Sequence, residues 1–361
     1  MTNRRVMIAL ALTVTVAFVL VATPAFAQVD TQPRLERPRV NTGPTIQIDP
    51  QILQRRPNLQ LLTQKVQMRA QFDERLLERA QGMRAYSLQR SPVSSETLQM
   101  LSDEFAIGGE LMQTDQLIAR TGGDSGFMAL DPKTGRLAFN VNLAQHVDDS
   151  PGELPSDADA AKLAMEFLRE HDLMPDAEQA VVAHVGRIRS ASFDPQTGQE
   201  SGAMDQALVV HFARQVDDIR VVGPGSKAVV QVGDGGDVIG GGVEWRALGR
   251  AQKLSAEALH DVNNINMAIR RQLGSEFGMA KSIVVDRVGL FYHDQGGFLQ
   301  PVAGFQAQVT SGEFRYNYFG QVPLMQQPPV QIGPAQISPE VREMLQMGPE
   351  DLKPQTEGPN D

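Results

Sequence analysis

Three apolar runs in the centre of the chain have the spacing and residue types of β-strands. They cover Leu208 to Gln215, Lys227 to Val232, and Val238 to Leu248. The turn-forming stretches Asp217-Asp218 and Gly233-Asp234-Gly235-Gly236 separate them. Because aspartate and glycine favour tight connections between strands, the segment predicts an antiparallel three-strand meander.

Two helices with one apolar face each are predicted between strand segments. Ser156 is a suitable N-cap for the first helix, and Ser255 for the second, which ends at Gly274. The apolar face of the first consists of Ala160, Leu163, Ala164, Phe167 and Leu168. The second has Leu259, Val262, Asn266, Ile269 and Leu273 on one side. Each helix must bury its stripe, so we expect each to pack on a sheet.

Further strands are predicted on both sides of these helices. The motif Asp131-Pro132-Lys133-Thr134-Gly135 and its near-duplicate Asp194-Pro195-Gln196-Thr197-Gly198 are typical of hairpin loops. After the second helix, residues 282–293, 298–309 and 313–319 are three more strand candidates. Near the N-terminus, apolar residues spaced three or four apart predict one helix from Asn58 to Met83.

These elements predict an α+β fold of antiparallel sheets, each packed by a helix, with an N-terminal accessory helix. The expected divisions are a signal peptide (1–27), a disordered tether (28–57), the accessory helix (58–90), a small α+β unit (91–150), a larger α+β domain (151–325) and a disordered tail (326–361).

The N-terminus has the features of an export signal. Arg4-Arg5 precedes an apolar run from Val6 to Val21, and Ala25-Phe26-Ala27 provides small residues before Gln28. Cleavage there predicts a periplasmic or extracellular protein that is not embedded in the membrane; the alternative is an uncleaved membrane anchor, since the run is close to spanning length.

Composition narrows the range of functions. The chain has no cysteine, and its six histidines include no HExxH motif. A formal net charge of −10 argues against nucleic acid as a partner, because phosphate binding needs clustered Lys and Arg. The convergence of His184, His211 and Glu244 on one sheet is conceivable, but strand histidines are more often ordinary polar positions. The sequence therefore predicts no catalytic residue, no metal site and no cofactor.

The meander, with its link Val222-Gly223-Pro224-Gly225, resembles fungalysin/thermolysin propeptides and PepSY-like modules of secreted bacterial proteins. Tyr292, followed by Leu299-Gln300-Pro301, resembles their closing segment, so the similarity covers about residues 155 to 320. No peptidase follows it here. The resemblance implies a non-catalytic module that binds an envelope or secreted protein as an inhibitor, assembly factor or folding aid. Antiparallel sheets with exposed edges also provide a physical route, the capture of an extended peptide by strand addition.

The predicted partner surface lies at the outer turn of the meander. Arg214, Asp217, Asp218 and Arg220 are expected to cluster there, while Phe212, Val230, Val232 and Trp245 face the helix.

Two other classes of function stay open. One is a hydrolase or small-ligand enzyme with a carboxylate site among Asp217, Asp218 and Glu244. The other is a structural envelope component. Residues 51–90 hold eight basic and three acidic residues. This basic segment would dock on the protein's own acidic domain or on an anionic envelope surface. The alternative is that its charges form an ordinary solvated helix face.

Overall fold

The computed structural model describes residues 66–123, 126–141, 153–193, 200–278 and 280–329. The signal peptide, tether and tail that the sequence predicts lie outside these residues, apart from the first residues of the tail, and so does the second of the two near-duplicate turns. The described residues fall into two compact units. The first comprises Arg90–Ala213 and Lys227–Arg246, and the second the residues up to Gln89, Arg214–Ser226, and those from Ala247 onwards.

In chain order the strands are β1 Val66–Met68, β2 Arg84–Leu88, β3 Leu111–Gln113, β4 Ile118–Thr121, β5 Gly126–Leu130, β6 Leu137–Val141, β7 Ala180–Phe193, β8 Glu200–Val216, β9 Ile219–Val222, β10 Lys227–Val232, β11 Val238–Glu244, β12 Leu248–Lys253, β13 Ser282–Asp294, β14 Phe298–Ser311 and β15 Phe314–Pro323. The α-helices are α1 Glu74–Gln81, α2 Ser95–Glu104, α3 Asp157–Glu170 and α4 Val262–Glu276.

The predicted α+β class is wrong, because strands dominate this fold. The described residues form fifteen strands in mixed pairing and only four α-helices. Several strands are long, with 17 residues in β8 and 13 in β13. Long β-branched and aromatic runs favour this outcome, since such side chains pack well on a pleated surface. The molecule is therefore β-rich and does not consist of small sheets with one helix each.

The first unit is built on strands in the order β7-β8-β10-β11-β6-β5-β4-β3. The pairings from β8 to β3 are all antiparallel, and the turn after β5 is the hairpin that Asp131 to Gly135 predicts. Alternate residues of the sheet face a core shared with α3, whose Ala160, Ala164 and Leu168 are fully buried. The side chain of Ser156 accepts a hydrogen bond from Asp159 N, which confirms the predicted start of this helix.

The second unit centres on the antiparallel pair β13 and β14. β2 and β15 pair with β14, β12 with β2, and both β1 and β9 run parallel to β13. Helix α4 packs on β15 and buries Ile265, Ile269 and Leu273. It begins later than expected, because Asp261 rather than Ser255 provides the cap, through Asn264 N.

The N-terminal segment differs most from its prediction. In place of one helix to Met83, the described residues form strand β1, the eight-residue helix α1 and strand β2. Phe72 and Ala80 are buried in the core of the second unit, and Asn266 on α4 holds Phe72 through both backbone groups, at 3.0 and 2.8 Å. The segment is thus part of this core. Among the described residues, no helix combines the length and the apolarity needed to cross a membrane.

Candidate functional site

The predicted partner turn is a two-residue connection between β8 and β9. Val216 pairs with Ile219, and the two residues between them, Asp217 and Asp218, have φ of +50° and +60°. Positive φ at both central positions is the geometry of hairpin turns whose twist matches that of the strands. Asp217, Asp218 and Arg220 are exposed here, as the sequence predicts, although Asp217 Oδ2 accepts a hydrogen bond from Tyr86 Oη at 2.8 Å. Their role as contact residues stays a prediction.

Arg214 does not belong to this exposed group. Its side chain is fully buried, with 0% exposure. Side chains alternate along a strand, so the periodicity that turns Phe212 and Val216 inward also turns Arg214 inward. The predicted cluster of four therefore contains three exposed residues and one interior cation.

A polar network in the second unit surrounds this buried guanidinium. Arg214 Nη1 lies 3.5 Å from Ser226 Oγ, and this hydroxyl donates a hydrogen bond to Asp294 Oδ2. Asp294 Oδ1 accepts from Gly296 N at 2.9 Å. Ser226 and Asp294 are each 2% exposed, so the network is closed to solvent.

The two glycines of the Val-Gly-Pro-Gly link leave the space that Asp294 occupies. A Cβ on Gly225 would lie 2.6 Å from Asp294 Oδ2, and one on Gly223 would lie 2.4 Å from Asp294 O, with φ already at +105°. The link is thus a bend fitted around one buried carboxylate. Asp294 was missed by sequence reasoning, because nothing in the sequence connects it to Ser226, 68 residues earlier, or to the link that precedes Ser226.

The three residues considered for a metal site are only partly brought together. His184 on β7 and His211 on β8 have ring centres 6.0 Å apart. Glu244 on β11 pairs with Lys227 on β10, and His211 on β8 pairs with Val229 from the other side of β10. Glu244 therefore lies two strands from His211 and is offset from it by two residues along the strand direction. Burial, and then the charge of His184, lowers the pKa of His211. Within the described ranges, no group of three or more histidines or carboxylates could hold a metal ion.

The three carboxylates of the alternative enzyme hypothesis belong to different parts of the fold. Asp217 and Asp218 form the turn in the second unit, and Glu244 ends β11 in the first. Trp245, the residue after Glu244, is 1% exposed within the core of the first unit, which confirms the predicted inward face together with Phe212, Val230 and Val232.

Five strands in the described residues, β1, β3, β7, β12 and β15, have a single strand partner and so leave one edge unpaired. β1 and β3 are three residues long, β12 carries the exposed charges Arg250 and Lys253, and the 14-residue β7 carries the exposed charges Arg187 and Arg189. Short length and charge both oppose pairing with another chain. β15 is different, because it combines a length of ten residues, pairing only with β14, and a single charged residue.

The exposed aromatic side chains favour the same strand. Phe314 and Phe319 on β15 are 52% and 44% exposed, and Arg315 is its only charged residue. Phe319 packs edge-to-face on Phe291 at 5.5 Å, and the two rings lean over Gly304, where a Cβ would lie 2.4 Å from Phe291 Cδ2. We call the side of β15 away from β14 the β15 edge.

All four tyrosines of the chain lie in the second unit, and three of them have raised pKa values. Burial raises the pKa of Tyr292, and burial together with the charge of Glu276 raises the pKa of Tyr316 to about 12. Burial and the bond to Asp217 raise that of Tyr86. A group whose pKa is higher in the folded state contributes stability below its ordinary pKa and loses it as pH rises further.

We therefore expect the unfolding free energy of the second unit to fall as pH rises above the ordinary tyrosine value of 10. The test is an alkaline titration followed both by tyrosinate absorbance and by far-UV circular dichroism. The tyrosinate absorbance should rise over the same pH range in which the dichroism shows loss of structure. The variant Tyr316→Phe should show a weaker pH dependence. Reversible ionisation near pH 10 with the dichroism unchanged would contradict the prediction.

No protein-family model matches this chain, and no curated protein matches it significantly.

Proposed function

We propose that this chain is a non-catalytic binding protein that captures an extended segment of an envelope or secreted protein by strand addition at the β15 edge. The observation that carries the proposal is a ten-residue strand with one strand partner among the described residues and two exposed phenylalanines. Main-chain hydrogen bonds provide affinity in this mode, and side-chain contacts on alternate residues provide selectivity.

The chemistry of the edge indicates the kind of segment it would take. Asn317 and Gln321 flank Phe319 on the face opposite to the core, so an added strand would meet amide groups and one aromatic ring. Charge is confined to Arg315 at the start of the strand. An extended segment with apolar or aromatic residues at alternate positions would match this pattern best. The predicted signal peptide supports a partner outside the cytoplasm.

The test is selection of displayed peptides on the purified full chain, followed by hydrogen exchange of the complex. A bound strand should slow exchange of amides within Phe314–Pro323, while those of β12 keep their rates. Protection confined to another strand, or no selected peptide of extended character, would contradict the proposal.

A matched pair of variants separates the edge from general surface effects. Phe319→Lys places a charge on the edge strand. Phe298→Lys is the control, because Phe298 has a similar exposure of 39% but lies on β14, an interior strand, where it pairs with Ser87 of β2. We expect Phe319→Lys to weaken the selected peptide by about tenfold or more and Phe298→Lys to leave its affinity unchanged. Equal affinities for the two variants would argue against the β15 edge.

A further inference from the structure

The imidazoles of His184 and His211 face each other on neighbouring strands of the first unit. Their ring centres are 6.0 Å apart and their planes differ by 32°. Side-chain contacts further along the two strands fix this alignment, with Arg189 Nε to Asp205 Oδ1 at 2.7 Å and Gln206 Nε2 to Ser190 Oγ at 2.7 Å. The two rings are thus held side by side by the sheet.

The surroundings leave the ring nitrogens available. Among the described residues, neither imidazole has a hydrogen-bond or ion-pair partner. His184 is exposed, His211 is half-buried, and the neighbour of His211 on β10 is Val229, which offers no polar side chain. Gly186 lies two residues from His184, and even a Cβ there would come within 3.4 Å of its Nε2. The absence of a side chain at Gly186 keeps the ring accessible.

We propose that His184 and His211 together bind a divalent transition-metal ion of the Zn²⁺ type, with water completing its coordination. Imidazole nitrogen suits such ions, whereas Mg²⁺ and Ca²⁺ require oxygen ligands that the pair does not offer. Metal–nitrogen bonds of about 2.0–2.1 Å at a tetrahedral angle place two imidazole centres about 5 Å apart. The observed separation of 6.0 Å exceeds this by about 1 Å, so binding requires side-chain rotations that close the gap and aim one nitrogen of each ring at the ion.

Two protein ligands make this an open and exchangeable site. A structural zinc site uses four protein ligands, and a catalytic one usually three. With two protein ligands, water occupies the remaining coordination positions of the ion. A ligand from a bound partner can replace one of these waters. The site is independent of the β15 edge, which belongs to the second unit.

The experiment is calorimetric titration of tag-free full-length protein with Zn²⁺ at neutral pH, combined with nitrogen NMR of the histidine rings. We expect one bound ion and shifted ring-nitrogen resonances for His184 and His211 alone. His184→Gln and His211→Gln should each weaken binding by at least about tenfold, because the second ligand no longer acts at high effective concentration. His260→Gln, in the second unit, is the control and should bind like the parent.

Acid provides an independent readout. Imidazoles must lose their proton to bind a metal, so metal binding should weaken and then disappear as the pH is lowered. Circular dichroism of each variant verifies that it is folded. The proposal is overturned if the parent shows no ring shift at a large excess of Zn²⁺. It is equally overturned if the single variants bind as tightly as the parent, or if the shifts belong to other histidines.

Discussion

Replacing Arg214 by alanine is expected to destabilise the second unit by about 3–5 kcal/mol, the cost of removing one member of a buried charged network. The change removes the guanidinium that donates to Ser226, the residue whose hydroxyl in turn donates to the buried Asp294. Its buried methylene groups are lost as well, since the side chain has 0% exposure.

The matched control is Arg220→Ala, a change of the same residue type on the exposed side of the adjacent turn. Surface substitutions of this kind shift stability by about 0.5 kcal/mol or less. Denaturant unfolding detected by tyrosine absorbance reports on the second unit, because all four tyrosines lie there. Similar losses in the two variants would mean that Arg214 is not an interior residue.

Replacing Trp245 by alanine is expected to cost the first unit about 3–5 kcal/mol, the usual loss for a fully buried large aromatic side chain. Trp245 is 1% exposed and packs in the same core as Phe167 of α3 and Phe212 of β8. Protein cores are close-packed, so the surrounding side chains relax only partly into the cavity that alanine leaves.

The milder variant Trp245→Phe keeps most of the ring contacts and should cost clearly less than the alanine variant. Far-UV circular dichroism during denaturation measures the stability of both variants, since neither retains the chain's one tryptophan as a fluorescent probe. A stable Trp245→Ala protein that fails only in partner binding would assign this side chain to a binding face.

Periodicity was a reliable guide wherever one strand face is buried. The alternation along β8 and β10 predicted that Phe212, Val230 and Val232 face the core, and the three strands after α4 begin within one residue of their predicted starts. The same rule applied to Arg214 would have predicted its burial. Residue type suggested a surface position instead, because buried arginines are rare unless they are paired.

The N-terminal segment shows why local pattern was insufficient elsewhere. Apolar spacing from Asn58 onwards fits a helix, and α1 does form within it. The flanking residues become strands because β13 and β14 offer them hydrogen-bonding partners, and tertiary pairing overrides a weak local preference. Asp294 illustrates the same limit, since its partners lie in a link that only the folded sheet brings beside it.

The pairing of β1 with β13 determines when the second unit can form. Val66 pairs with Ile283, and Arg270 Nη1 donates to Val66 O across 204 residues of sequence. At synthesis rates of roughly 5–20 residues per second, the first strand is made about 10–40 s before its partner exists. During that interval Phe72 and the apolar face of α1 have no core to enter. The loop between β1 and β13 is long, and its closure must wait for the late strand, so we expect the second unit to fold slowly. We also expect the segment from β1 to α1 to need shielding until synthesis is nearly complete.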